Sequence, residues 1–351
     1  MMERTIGMGV IGAGTWGTLH ARTYATTPGA RLVAIADLDP ARAAAANAAA
    51  GGTARCYDDY HALLADPAVD AVSIVLPDFL HHDAALAAAR AGRHILIEKP
   101  LATSEVQARA IVAAAEAAGV ALMVDFHNRW SPPFHGLKLA YDAGELGALQ
   151  MISYRLNDTI MVPTTMLRWS AQSSVAWFLA SHCLDTLLWL CDARAGADAP
   201  TRIYAVARSR LLAAQGVATP DFYQTIIEFA SGLVVHLENA WILPEAAPSV
   251  FELKCEVIGA TGAYYIDGSL HGAQKIITRT TYPDALVAPT VFGRPAGFAS
   301  ESIRHFASAL RAGERPLVDG RDGLAVTRLV LAMEQSAAQG APVTLGDLWR
   351  D

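Results

Sequence analysis

Ile6-Gly7-Met8-Gly9-Val10-Ile11-Gly12-Ala13-Gly14-Thr15-Trp16-Gly17 opens with an apolar run that breaks into closely spaced glycines. The run reads as a buried strand, and the stretch to about Thr26 as a helix. A second strand, Arg31 to Ala36, ends at Asp37, twenty residues beyond Gly17. In that order each glycine has its own task. Gly12 allows a tight turn, Gly14 lets the backbone approach a pyrophosphate, and Gly17 lets helix and strand pack closely. The helix N-terminus then offers unpaired N–H groups and a favourable dipole to phosphates. Asp37 can accept hydrogen bonds from both ribose hydroxyls and repels a 2′-phosphate, which favours NAD over NADP. Gly12, Gly14, Thr15, Trp16, Gly17 and Asp37 are therefore the first cofactor-binding candidates. The plainer alternative is a Gly-rich turn with Asp37 merely capping the next helix.

The alternation continues through the first half. Ala41 to Ala50 reads as a helix stopped by Gly51-Gly52, and Asp59 to Ala65 as another. Ala71 to Leu76 is an apolar strand broken by Pro77, and His81 to Ala91 a helix ended by Gly92. His94 to Ile97 is a strand leading into Glu98-Lys99-Pro100. Ser104 and Gln107 have the spacing of a capping box opening a helix to Ala118, which Gly119 stops. Ala121 to Phe126 closes the series. Strand-helix units with non-alternating apolar strands imply a parallel sheet covered on both faces, an α/β Rossmann domain over residues 1–126. Glu98 and Lys99 then sit at the carboxyl end of a strand, on the rim where open parallel sheets hold ligands. The alternative is an ordinary turn, with Lys99 a solvated charge and Pro100 a stop signal.

Composition bounds the rest. The 351 residues, 53% hydrophobic and 17% charged, suffice for about two domains. The longest tempting apolar run, Val175 to Cys191, is interrupted by His182 and Asp185, so no membrane span is expected. Met1-Met2-Glu3-Arg4 and the run to Ile11 imitate a signal peptide but lead into the glycine turn, so they read as the first strand. Cys56, Cys183, Cys191 and Cys255 lack paired spacing, as expected of reduced thiols in a cytoplasmic protein. A net charge of −7 argues against a nucleic-acid partner.

After Asp125-Phe126-His127-Asn128-Arg129-Trp130 the pattern changes. A helix, Phe134 to Asp142, precedes a strand, Leu149 to Arg155, and Ser174 to Leu190 reads as one long apolar helix carrying His182 and Asp185. Strand runs come next at Thr201–Arg208, Tyr223–Phe229, Leu233–Trp241 and Phe251–Ile258, with shorter ones at residues 262–268 and Gln274–Arg279. Two helices, Glu301 to Ala312 and Asp322 to Gln339, end the chain. Successive strands without crossover helices predict an α+β domain over residues 127–351, with a mainly antiparallel sheet covered on one face. Its open face is expected to be an oligomer interface, because Trp241 and the tyrosines would otherwise meet solvent. His127, Asn128 and Arg129 come directly after the last Rossmann strand and belong at its rim; alternatively Arg129 makes a structural ion pair. Asn157-Asp158-Thr159 and Arg168-Trp169 are candidates for a loop over the pocket. His182, on an apolar helix, is either a site residue or a satisfied core histidine.

Taken together, the chain resembles the glucose–fructose oxidoreductase/inositol dehydrogenase/rhizopine-catabolism (Gfo/Idh/MocA) family. The resemblance rests on the glycine turn with Leu19-His20, on Ala36-Asp37, on Leu76-Pro77 with His81, and on Glu98-Lys99-Pro100-Leu101. Phe126 with Arg129, His182 with Asp185, and Phe306, Ala309, Gly313, Pro316 and Asp322-Gly323 extend it over the whole chain. It implies an NAD-binding oxidoreductase that transfers hydride at a hydroxyl-bearing carbon of a sugar, sugar acid, polyol or inositol, assembled as a homodimer or homotetramer through the open sheet. It also implies that Lys99 and His182 are catalytic, that Glu98 lies near the nicotinamide ribose, and that Leu76, Pro77 and His81 help to hold the cofactor, with no metal. Substrate contacts are expected from Lys99, His127, Asn128, Arg129, Asn157, Arg168, Phe178 and His182. The chemistry agrees: alcohol oxidation needs a base for the proton and a cation or donor for the developing alkoxide. One position departs from the family pattern. Many members carry an aspartate four residues before the histidine, where this chain has Phe178. Two further readings stay open, a redox-assisted elimination or bond cleavage with retained NAD, and a non-catalytic NAD-binding regulator.

Overall fold

In the computed structural model, residues 5–193, 198–269, 272–278 and 280–346 are described. Met1 to Arg4, and Arg279 at the end of one expected strand, lie outside them.

The first part of the chain alternates as its apolar runs dictate: β1 (Ile6–Ile11), α1 (Thr15–Ala25), β2 (Ala30–Ala36), α2 (Pro40–Ala49), β3 (Arg55–Tyr57), α3 (Tyr60–Ala65), β4 (Ala71–Ile74), α4 (His81–Arg90), β5 (His94–Ile97), α5 (Glu105–Ala118) and β6 (Leu122–Val124). These strands form a parallel sheet in the order β3-β2-β1-β4-β5-β6. Every residue of β1 and β4 is buried, which is why their sequences show no alternation. β3 escapes the sequence reading because Arg55-Cys56-Tyr57 is a short, half-exposed edge with no apolar run. Local chemistry sets the helix ends. The Ser104 hydroxyl accepts the Gln107 N–H at 3.2 Å to open α5, and Gly119 closes it with φ +64°.

Further along lie α6 (Pro132–Asp142), β7 (Leu149–Thr159), π-helical turns at Val162–Met166 and Ala176–Ala180, α7 (Ser181–Leu190), β8 (Pro200–Arg208), the one-turn α8 (Leu211–Ala214), β9 (Phe222–Phe229), β10 (Val234–Leu243), β11 (Phe251–Gly259) and β12 (Ala263–Asp267). They form a sheet in the order β12-β11-β7-β10-β9-β8, with Val343–Thr344 added beyond β8. Its pairs are antiparallel except β7 with β10. Three expectations need revision here. Asn157-Asp158-Thr159 are the end of β7 rather than a loop. The single helix expected from Ser174 is a π-helical turn followed by α7. Trp241 does not face the open side: it is fully buried, because β10 turns Val235, Leu237, Asn239 and Trp241 inward and Val234, His236 and Glu238 outward.

The chain ends in α9 (Phe298–Ala312) and α10 (Gly320–Gln339). Two compact units emerge, residues 1–130 with 286–324, and residues 131–285 with 325–351. This division differs from a boundary at residue 126. Residues 127–130 and α9 join the first unit because the Phe298 ring packs 5.6 Å from His127, His305 packs 5.1 Å from Trp130, and the Ser302 hydroxyl donates to Asp125.

Candidate active site

The glycine turn is built as the spacing requires. Gly12 has φ +97°, and a Cβ there would lie 2.3 Å from the Val75 carbonyl oxygen. A Cβ on Gly17 would lie 1.8 Å from the Gly12 oxygen, so α1 can approach β1 only without one. Gly14 differs, since a Cβ there meets nothing within 4 Å. Its lack of a side chain keeps clear the space before the first turn of α1, whose N-terminus has no side-chain cap. Asp37 is oriented by two backbone donors, Ala13 N–H at 2.7 Å to one oxygen and Asp39 N–H at 2.9 Å to the other. An open cradle, an uncapped helix end and a fixed carboxylate at the end of β2 fit a dinucleotide.

On the same rim, the turn after β5 carries Glu98 and Lys99, joined by a cis Lys99–Pro100 bond to the helix approach. Glu98 is buried and Lys99 half-buried. One Glu98 oxygen accepts the Lys99 N–H at 3.3 Å, and the other lies 3.2 Å from His20 Nε2. His81 is completely buried, with Nδ1 2.8 Å from the Pro100 oxygen and Nε2 2.9 Å from the Leu76 oxygen. It lies between the loops after β4 and β5, and whichever nitrogen carries its N–H donates to one of those carbonyls. His127 stacks on Trp16 of the glycine turn at 5.5 Å and 16°. Burial first, and then the Lys99 charge, pull its imidazole down to about 4, against the Glu98 carboxylate, so it is neutral at physiological pH. Arg129 lies 3.3 Å from Asp322, the ion pair anticipated as its alternative role, and Asn128 is buried beside it in sequence.

In the second unit, His182 sits in the first turn of α7, 8% exposed, with Asp185 buried one turn on. Phe178, in the preceding π-helical turn, is half-buried between indoles, its ring 5.5 Å from Trp241 and 6.3 Å from Trp169. Trp241 Nε1 donates to Asp158 at 3.2 Å. Phe178 thus packs with Trp169 and Trp241 just before the helix start that carries His182. Arg168 is exposed in the connecting segment. Asn157 is not part of that group. It shares the outward face of β7 with Arg155 and donates to Glu238 there at 2.7 Å.

Sequence reasoning missed Asp125, Ser73, Tyr24 and Ser302, which surround the Glu98 carboxylate through His20. Asp125 did leave a signal: like Asp37, it is an acid ending an apolar strand.

Comparison with known proteins gives the same reading. Residues 6–126 match the model of the oxidoreductase family with an NAD-binding Rossmann fold, and residues 134–265 match that of the GFO/IDH/MocA C-terminal domain. Inositol 2-dehydrogenase of Rhizobium meliloti (strain 1021) is 28% identical over 97% of this chain and 99% of that protein. Inositol 2-dehydrogenase 2 of Saccharopolyspora erythraea is 32% identical over 78% of this chain and 76% of that protein. The solved structure of GenD2 from gentamicin A biosynthesis in complex with NAD superposes with a TM-score of 0.80 at 25% identity, covering 98% of this chain and 97% of that one. The chain belongs to the GFO/IDH/MocA family of NAD-binding oxidoreductases.

Proposed function

We propose that this oxidoreductase interconverts a ring hydroxyl and a ketone on a polyol, inositol or sugar, with Lys99 and His182 as its catalytic residues. Bound NAD supplies the hydride acceptor. The observation that carries the reading is the Glu98–Lys99 turn, set on the same sheet rim as a glycine turn kept clear at Gly14. An alcohol loses a proton as its carbon loses hydride, so the alkoxide needs a cation or donor and the proton needs a base. Lys99 has the charge for the first task, and its backbone N–H is fixed by Glu98. His182 has the chemistry for the second, on a helix start backed by Trp241 and Phe178. Asp37 sets the preference for NAD over NADP. Incubation with NAD and a panel of inositols, sugars and sugar acids, with absorbance of reduced nicotinamide as the readout, tests the reading. Net NADH formation supports it. Product without net NADH would move it to elimination with a retained cofactor, and tight NAD binding with no product to a regulator.

The outward face of the second sheet supports self-association. Its register aligns Ile258, Met151 and Val234 in one row and Tyr265, Glu256, Ser153, His236, Ile226 and Tyr204 in the next. Exposed apolar side chains there lie beside the Arg155–Glu238 pair at 2.9 Å. The proposed homodimer or homotetramer uses this face, and sedimentation of Tyr204→Asp against the unmodified chain tests it. Among the described residues no helix is long and apolar enough to cross a membrane. The thiols are free in Cys56, Cys183, Cys191 and Cys255, which is consistent with a cytoplasmic setting.

A further inference from the structure

Beneath the Glu98–Lys99 turn a chain of buried side chains runs from α1 to β4, β5 and β6. Tyr24 and Ser73 are in contact through their hydroxyl oxygens at 2.6 Å, and Ser73 Oγ lies 3.0 Å from His20 Nδ1. His20 Nε2 lies 3.2 Å from Glu98 Oε1 and 3.6 Å from Asp125 Oδ2. The second Asp125 oxygen accepts from Ser302 of α9. Tyr24, Ser73, His20 and Ser302 are wholly buried, and Asp125 is 1% exposed. His20, Glu98 and Asp125 bring their donor atoms within 4.8 Å of one another, a composition that also suits a metal. Here those atoms already serve one another and two serine hydroxyls.

Counting protons gives the chain a direction. An ionised Glu98 only accepts, so His20 Nε2 carries the hydrogen that faces it. In that tautomer Nδ1 accepts from the Ser73 hydroxyl, which accepts in turn from the Tyr24 hydroxyl. Reversing the chain would leave the Tyr24 O–H to find another acceptor, whereas in this direction each hydroxyl proton is used. The result reaches the surface through one carboxylate: His20 holds Glu98 Oε1, which turns Oε2 to the Lys99 N–H.

We propose that His20 is a positioning residue for Lys99, acting through Glu98, with Asp125 holding the one proton that the two buried carboxylates share. The proposal rests on the reading of Lys99 as catalytic. Two carboxylates beside one imidazole cannot both carry charge cheaply in a dry site. Burial pushes Glu98 up, but the hydrogen bond from His20, with the Lys99 charge behind it, holds it net below the usual range. Burial, and then the Glu98 charge, push Asp125 up to about 7. The titratable groups facing this pair are His20 and Tyr24 from α1, His81 from α4, Lys99 from the turn after β5, and His127 after β6. Ser73 and Ser302 are the neutral members.

Two substitutions of His20 separate positioning from packing. The amide nitrogen of His20→Gln falls near Nε2 and keeps the donation to Glu98, while His20→Asn reaches only the Nδ1 position, where its amide oxygen accepts from Ser73. With the panel compound that gives the highest rate, His20→Asn is expected to lower kcat by roughly tenfold to a hundredfold, the scale of a small misplacement of a reacting group. His20→Gln should recover most of it. Their melting temperatures should be similarly reduced, and Kd for NADH, read by its fluorescence, should stay within about twofold of the unmodified value, since the glycine turn is untouched. Equal losses in both variants that track stability, or no loss in either, would overturn the positioning role. Asp125→Asn, the same shape without the proton exchange, needs no substrate. Its denaturation midpoint should gain on the unmodified protein from pH 5 to pH 8, because a raised carboxyl loses its stabilising proton over that range. A constant difference would overturn the shared proton. Lys99→Met separates the two readings: if it keeps turnover, Lys99 is not catalytic, while the midpoints still report on the cluster. If it is inactive and His20→Asn is not impaired, the positioning role alone fails.

Discussion

The two units present their chemistry by different means. In the first, candidate groups stand at the carboxyl ends of parallel strands, where backbone geometry fixes them: Asp37 after β2, Glu98 and Lys99 after β5, Asp125 and His127 after β6. In the second, they stand at one helix start, where Phe178 packs on Trp241 and Trp169 and His182 lies in the first turn of α7. A strand end tolerates little change in the turn but any side chain beyond it. A helix face tolerates any sequence that fills the same volume. The difference predicts that substitutions in the first unit act on charge and geometry, and those around Phe178 in the second on shape.

Lys99 should show the contrast most strongly. Lys99→Met keeps most of the side-chain volume and removes the charge, so kcat should fall about a thousandfold or more while NADH still binds. Single-turnover rates with NADH titration measure both, and near-normal turnover would return Lys99 to a solvated charge. His182 comes next. His182→Ala removes a positioned acid–base group, and a loss on the order of a hundredfold in kcat is expected. If the loss were confined to KM, the histidine would serve binding, and the second unit would contribute shape alone.

The same contrast separates what is legible in the sequence from what is not. Strand order, the glycine turn, Asp37 and the Glu98–Lys99 rim are legible because each obeys a local rule: apolar run, turn, capped helix. The Ser104–Gln107 cap is a case in point. β3 is not, since a three-residue edge strand is held by its neighbour β2 and not by its own apolarity. Trp241 reads as facing the open side because a run of apolar and polar residues at the end of β10 hides its alternation. The association of α9 with the first unit is also invisible, as Phe298, Ser302 and His305 find partners about 175 residues earlier. His20 shows the limit most clearly: its meaning lies in Ser73, Glu98 and Asp125, each on a different strand end.

A smaller effect is expected at Asp37. Its two oxygens are aimed by Ala13 and Asp39, so Asp37→Ala removes an oriented acceptor and the repulsion of a 2′-phosphate together. A charge-assisted hydrogen bond corresponds to roughly a tenfold change in affinity. The preference for NAD over NADP in kcat/KM should therefore shrink by at least about that factor, mainly through KM. Equal use of both cofactors by the unmodified protein would remove Asp37 from the cofactor site and weaken the strand-end half of the comparison.

The smallest change should come from Phe178, and it tests the packing half most directly. Phe178→Leu preserves an apolar side chain between Trp169 and Trp241 and loses only the ring-on-ring contacts, worth about 1 kcal/mol. Its kcat should stay within about threefold, with any loss appearing in KM and in melting temperature. Phe178→Asp introduces the residue that many family members carry there, yet it should not raise turnover. The new carboxylate would face two indoles, and the nearby Asp158, already committed to Trp241 Nε1, adds like charge. Burying such a group without a partner costs stability and favours its protonated form, which cannot act as a base. A Phe178→Asp variant with higher kcat at neutral pH would show that the aromatic wall merely occupies a position built for a carboxylate, and that the second unit, like the first, works through charge.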